Sequence, residues 1–162
     1  ERFYLRSVGW DPRKDRSHLS DLFPELHNDF PMPLNILPES SYFSSILRVS
    51  SGGVQLWPHY DVMDNILVQI KGRKRVLLWP PSDAKNLRLH GSSSCITDID
   101  SEQIDSRGCP EHSFEKNPFP KDSCHEFYLL PGQTLFIPAL WVHCVQSLDF
   151  TIGKLNLSVC LY

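Results

Sequence analysis

The chain has 162 residues, enough for one domain that buries its own core without disulfide or metal staples. With 41% hydrophobic and 22% charged residues it lies outside the disordered and collagen-like classes, and no apolar run reaches the roughly 20 residues of a membrane span. A formal net charge of -3 excludes a grip on nucleic acid by overall charge and leaves only local basic clusters for that purpose.

Residues 1–16 mix aromatic and basic side chains, and Ser17 to Leu26 predicts one short helix capped by Asp15 or Ser17. Residues 28–41 are punctuated by Pro31, Pro33 and Pro38 and predict irregular chain. From Tyr42 onward, YFSSILRVSS, VQLWPHYDV, NILVQI and KRVLLW are short β-branched and aromatic runs cut by Gly and Pro, and they predict four strands. Ser82 predicts the N-cap of a short helix through Leu89. Residues 90–124 are rich in Ser, Asp, Cys and Pro and predict a surface insertion; HEFYLL, TLFIP, WVHCVQS and TIGKLNLSVCLY then predict a second strand set. The organisation expected is one unit, 1–162. It divides into an N-terminal helix and loop part (1–41), a first strand set (42–89), the insertion (90–124) and a second strand set (125–162). Many short strands and few helices predict an all-β jelly roll, a cupin-like double-stranded β-helix. Five cysteines without regular spacing predict free thiols and an intracellular, cytoplasmic or nuclear protein. The chain opens on Glu1 without an initiator Met, which predicts the core of something longer.

Chemistry is concentrated at His59-Tyr60-Asp61, because residues two apart on a strand share a face and aim an imidazole and a carboxylate at one point. His143, after the apolar run LFIPALWV, is the natural third ligand. Two His and one carboxylate form a facial triad suited to non-haem Fe(II). Lys74, on the next strand pair, is unusual for a buried position unless it meets an anion, and suits the far carboxylate of an organic acid that chelates the metal. Arg48, Arg73 and Arg75 form one basic group and Arg2, Arg6, Arg13, Lys14 and Arg16 another, together a candidate phosphate-binding strip.

HYDVMDN, IKGRKRVLLWPP and LLPGQTLFIPALWVH resemble the JmjC-type, cupin-fold Fe(II)/2-oxoglutarate-dependent oxygenases over about residues 1–157. Within that family, YLRSVGWDPRKD and LRVSSGGVQLWPHYDVMDNILVQIKGRKRV look most like the tRNA wybutosine-synthesizing hydroxylases. The resemblance implies His59, Asp61 and His143 as iron ligands, with 2-oxoglutarate and O2 as cosubstrates. It implies Lys74 and Tyr4 on the distal carboxylate of 2-oxoglutarate, and Asn65 and Asn156 as further residues of that pocket. It also implies hydroxylation of the wybutosine-type guanosine of phenylalanine tRNA, and a homodimer in the full-length protein. The triad and Lys74 do not separate this from a protein side-chain hydroxylase or demethylase, and a non-catalytic cupin-like binding domain or inactive fragment is the reading from another class.

Overall fold

The computed structural model describes residues 1–8, 15–26, 29, 42–104 and 119–158. The first strand set comprises β1 (Tyr4–Arg6), β2 (Tyr42–Ser50), β3 (Gln55–His59), β4 (Asp64–Lys71) and β5 (Lys74–Trp79). Four short strands follow, β6 (Leu89–His90), β7 (Ser93–Ser94), β8 (Ile96–Asp98) and β9 (Gln103–Ile104). The second set is β10 (His125–Leu129), β11 (Thr134–Ile137), β12 (Val142–Ser147) and β13 (Thr151–Ser158).

Antiparallel pairing builds a five-stranded sheet in the order β1-β2-β13-β4-β11 and a six-stranded sheet in the order β10-β5-β12-β3-β7-β6. They form the two layers of a double-stranded β-helix, as the strand pattern predicts. Leu67, Val76, Leu78, Leu129, Ile137, Val145 and Leu155 fill the space between the layers. The alternation of β5 puts Leu77 and Trp79 on the opposite face, where they meet Leu87, Ile96, Ile99, Val142 and Cys144 in a second cluster. The six-stranded sheet is therefore covered on both sides. The described part of the expected surface insertion supplies that cover: β6 and β7 extend the sheet, and Ile96 and Ile99 are buried against it.

The first helix is shorter than its sequence pattern predicts, and the second starts and ends two residues earlier. The first, α1, spans Leu19–Leu22 behind His18 at the N-cap, and Pro24 opens a separate 3-10 turn, Pro24–Leu26, because its ring cannot continue the helix interior. Ser17 instead donates its backbone N–H to Ser44 Oγ at 2.9 Å and accepts Ser45 N–H at 2.7 Å, which ties the N-terminal segment to β2. The second is a 3-10 helix, Pro81–Leu87, with Pro80 rather than Ser82 at its N-cap and no side-chain cap.

The cysteines also differ from expectation. Cys95 is disulfide-bonded, whereas Cys124 and Cys144 are free. Pairing depends on closeness in space, which spacing along the chain does not report. Among the described residues no helix is long and apolar enough to cross a membrane.

The turn between β4 and β5 depends on Gly72. Its φ is +74°, and a Cβ there would lie 2.1 Å from the Phe150 carbonyl oxygen. Gly72→Ala should lower unfolding stability by more than about 2 kcal/mol, read as a reduced urea midpoint at unchanged slope.

Candidate metal centre and cosubstrate cavity

The site begins with an irregularity. Partners across β12 and β3 are Val145–Leu56 and then His143–His59, so β3 carries one extra residue between those pairs. Strict alternation from Leu56, which lines the interior, would turn His59 outward. The bulge at Trp57-Pro58 restores it to the inner face, and Pro58, which has no N–H to contribute to a ladder, is suited to such a break. Beyond the strand, Tyr60 donates its N–H to the Ser92 carbonyl at 2.9 Å and packs on the outer cluster, while Asp61 returns to the inside. The H-x-D pair thus does share a side, through a bulge and a turn rather than along one regular strand.

One ligand atom each of His59, Asp61 and His143 lies within 4.8 Å of the others. The imidazole centroids are 4.3 Å apart, and His143 Nε2 is 3.7 Å from Asp61 Oδ2. Each ring is held the same way: His59 Nδ1 contacts the Trp57 carbonyl at 2.8 Å and His143 Nδ1 the Trp141 carbonyl at 3.0 Å, two residues back in both cases. A carbonyl only accepts, so both Nδ1 atoms carry the proton and both Nε2 lone pairs are free. Burial lowers the pKa of both rings, and at His143 the neighbouring His59 lowers it further. Neutral imidazoles and a carboxylate are the donor set a divalent cation needs.

Asn65, 1% exposed on β4, donates from Nδ2 to Asp61 Oδ2 at 2.8 Å. Its position is that of a clamp on the Asp61 carboxylate. The loop before β12 closes the corner: Leu140 N–H donates to the Asp61 carbonyl at 2.8 Å, and Leu140 adopts a left-handed φ of 66°, uncommon for a side chain of its size.

Inward from His143 runs a cavity whose polar lining is Tyr4, Arg48, Ser50, Lys74, His143 and Ser147, with aliphatic walls that include Leu56, Leu67, Val145 and Leu155. Lys74 is 4% exposed, and no carboxylate of the described residues lines the cavity or pairs with its ammonium. Burial, and after it the Arg48 charge, pushes its pKa down to about 8. Arg48 Nε is likewise buried without a hydrogen-bond partner. Gly153 makes room for the lysine, since a Cβ there would lie 3.0 Å from Lys74 Nζ and 3.1 Å from the Val68 carbonyl oxygen.

The other candidates are dispersed. Arg48 lines the interior and is not part of an outer strip with Arg73 and Arg75. Arg73 is paired with Asp149 at 2.9 Å, and Arg75 with Asp100 at 2.7 Å and with Glu126, so neither guanidinium is free for a phosphate. Arg13 and Lys14 are outside the described residues. Asn156 lies on β13 opposite Ser45 and Ile66, with its side chain outside the described part. Cys144 is fully buried on the outer face of β12, away from the metal corner, and burial drives its thiol to about 12. Sequence reasoning missed Ser50, Ser147 and Gly153; the period-2 continuation of the inner face, from Arg48 to Ser50 and from His143 to Ser147, was the available signal.

A double-stranded β-helix with two His and one carboxylate at the mouth of a cationic cavity defines the class. The family model of the cupin-like domain matches residues 4–162, and the chain belongs to that family. It is 47% identical over 154 residues to the tRNA wybutosine-synthesizing protein 5 of Mus musculus, a match covering 94% of this chain and 45% of that protein. It is 41% identical over 150 residues to the tRNA wybutosine-synthesizing protein 4 of Neurospora crassa, covering 88% of this chain and 12% of that one. The chain therefore spans less than half of the length of these curated relatives. Among solved structures, the ribosomal oxygenase YcfD of Escherichia coli in complex with cobalt and 2-oxoglutarate has the same fold. Its TM-score is 0.51 at 19% identity, covering 80% of this chain and 27% of that one.

The depressed Lys74 pKa sets a pH dependence. Below pH 8 the ammonium is charged in both folded and unfolded chains, and the fold carries its full desolvation cost. Between about 8 and the ordinary 10.5 the folded chain gives up the proton first, so its stability rises with pH. Lys74→Met should be more stable than wild type at pH 7 by up to about 3 kcal/mol in the metal-free protein, and the gap should close by pH 10.5. Urea melts of the two proteins at pH 7 and 10.5 measure this directly.

Proposed function

We propose that the chain is the catalytic core of an Fe(II)- and 2-oxoglutarate-dependent hydroxylase acting on the wybutosine-type guanosine of phenylalanine tRNA. The observation that carries this reading is the His59, Asp61 and His143 cluster joined, through His143, to a cavity that holds Lys74 and Arg48, two cations with no carboxylate partner among the described residues. Those three ligands would hold Fe(II), which with 2-oxoglutarate and O2 supplies oxidation of an unactivated C–H bond to an alcohol, releasing succinate and CO2.

The protein's own residues supply geometry and exclusion of water. Lys74 binds the cosubstrate carboxylate remote from the metal and gains there the counter-charge the fold withholds. Tyr4, at the edge of the same cavity, offers its phenol hydroxyl to that end. Asn65 orients Asp61, and the two backbone carbonyls orient the imidazoles. The aliphatic walls from both sheets keep the cavity dry.

Trp57 before His59, Val62 after Asp61, and Leu140, whose N–H bonds the Asp61 carbonyl, are 49%, 69% and 49% exposed. An uncharged rim of this kind suits a planar modified base, and the relatives named for wybutosine synthesis favour that substrate. Arg6, opposite Arg48 in the β1–β2 register, is exposed and near enough to His59 to depress its pKa, which positions it for backbone phosphate.

In the full-length protein, His59→Ala and Asp61→Ala should each abolish tRNA-dependent succinate formation, whereas Trp57→Ala should raise KM for tRNA about tenfold with little change in kcat. Mass spectrometry of phenylalanine tRNA from cells lacking the gene should show loss of the hydroxylated base. An unchanged tRNA would overturn the RNA substrate and leave hydroxylation of a protein side chain.

A further inference from the structure

The row of side chains that starts with the two imidazoles does not end at His59. His143 on β12 is paired with His59 on β3, His59 with Ser93 on β7, and Ser93 with His90 on β6. Residues paired across antiparallel strands project from the same face, so these four side chains stand in one line across four strands of one sheet. The alternate residues agree. Leu89 and Ser94, paired with each other, face the outer cluster, where Leu89 packs and Ser94 Oγ donates to the Leu87 carbonyl. Ser93 and His90 therefore lie on the metal side, one and two strand spacings, or roughly 5 and 10 Å, beyond His59.

Neither side chain is used by the fold. Among the described residues neither makes a hydrogen bond or an ion pair; Ser93 is half-buried and His90 is exposed. The two-residue turn that joins them is Gly91-Ser92, with Gly91 at φ +61° in the first central position, where a type II′ hairpin takes glycine. A Cβ at Gly91 would meet nothing within 4 Å, so the tip of the hairpin is uncovered. The surroundings are basic. Residues 84–97 contain Lys85, Arg88 and His90 and no Asp or Glu, in a chain with 19 acidic residues. Arg73 and Arg75 are neutralised by carboxylates, whereas Lys85 and Arg88 have no carboxylate partner among the described residues.

We propose that His90 and Ser93 form a substrate-binding strip for the RNA backbone: the His90 imidazole N–H and the Ser93 O–H donate to the phosphodiester of the nucleotide whose base enters the metal corner. A nucleotide presented to the corner carries its phosphate alongside, and a face with two unused donors and no carboxylate complements that anion. Such a contact sets the register and orientation of the strand and leaves reading of the base to the corner itself. This rests on the tRNA hydroxylase reading above and assigns residues to the substrate's backbone.

The test is binding of phenylalanine tRNA carrying the unhydroxylated base to the full-length protein loaded with Mn(II) and 2-oxoglutarate in the absence of O2. Fluorescence anisotropy over a series of salt concentrations reads the affinity. Ser93→Ala should weaken binding about three- to tenfold, and His90→Glu more than about tenfold. His90→Arg sets a full cation against the phosphate. It should tighten binding and steepen the plot of log K against log salt by about 0.7, and a gain of this kind cannot come from misfolding. Lys71→Glu, at the other end of β4 and roughly 24 Å along it from Asp64, lies beyond a Debye length and should change binding less than about twofold. Hairpin variants that all bind within twofold of wild type, or a Lys71→Glu as damaging as His90→Glu, overturn the strip and leave the tRNA hydroxylase reading standing. A wild type without salt-dependent binding of this tRNA overturns that reading and the strip together.

Discussion

The metal corner depends on one extra residue in β3. The two imidazoles come from neighbouring strands of one sheet, and a ligand pair across a ladder requires both residues to face inward at the same level. His143 meets that requirement by simple alternation with Val145 and Ser147, but His59 does not meet it from Leu56 without the bulge. Pro58 makes the bulge inexpensive, because the ladder there needs no N–H from it. Once His59 is turned inward, Tyr60 must face the outer cluster and Asp61 must come back toward the mouth. A single local break in pairing thus sets the direction of three consecutive side chains.

At the other end the difficulty is charge. Placing Lys74 and Arg48 among aliphatic side chains costs stability, and the depressed Lys74 pKa is the sign of it. The surroundings are arranged to accept them rather than to neutralise them: Gly153 leaves space where any Cβ would crowd the ammonium, and the hydroxyls nearby donate to one another. The sheet that bears Lys74 is stabilised from its far side by Leu77, Trp79, Ile96, Ile99 and Val142, and the Trp79 indole N–H is satisfied by the Pro120 carbonyl at 2.9 Å. The cover over the outer face lets the inner face hold a cationic cavity, a trade of stability for function.

The strands, their order of appearance and the donor triad were legible because each has a local signature: β-branched runs between turn residues, and titratable side chains at a strand end. Even so, the reason offered for the triad, regular alternation from His59 to Asp61, is only half right, since the strand stops at His59. What sequence could not show is whatever depends on cross-chain partners. Arg73 and Arg75 read as free basic residues until Asp149, Asp100 and Glu126, from 25 to 76 positions away, are seen to occupy them. Residues 90–124 read as surface because their polar composition hides Ile96 and Ile99, which are too few and too closely spaced to declare a face. Ser50 and Ser147 were silent because a serine in a strand carries no signal until its neighbours are known.

The ligands do not stand on independent supports. Asp61 is fixed by the Asn65 amide at its carboxylate and by the Leu140 N–H at its carbonyl. The next residue after Leu140 is Trp141, whose carbonyl orients His143, and Ala139 on the other side donates its N–H to Asp64 at 2.7 Å. The 138–141 loop therefore holds two of the three ligands and is itself anchored to the chain between Asp61 and β4. Leu140 keeps its left-handed backbone only while those contacts hold. Occupancy of the corner by a cation would draw Asp61 and His143 together and reinforce the same contacts. Coupling of this kind makes the effects of changes in the loop and at the ligands non-additive. The residues that orient the three side chains are consequently as much a part of the candidate metal centre as the atoms that would touch the ion.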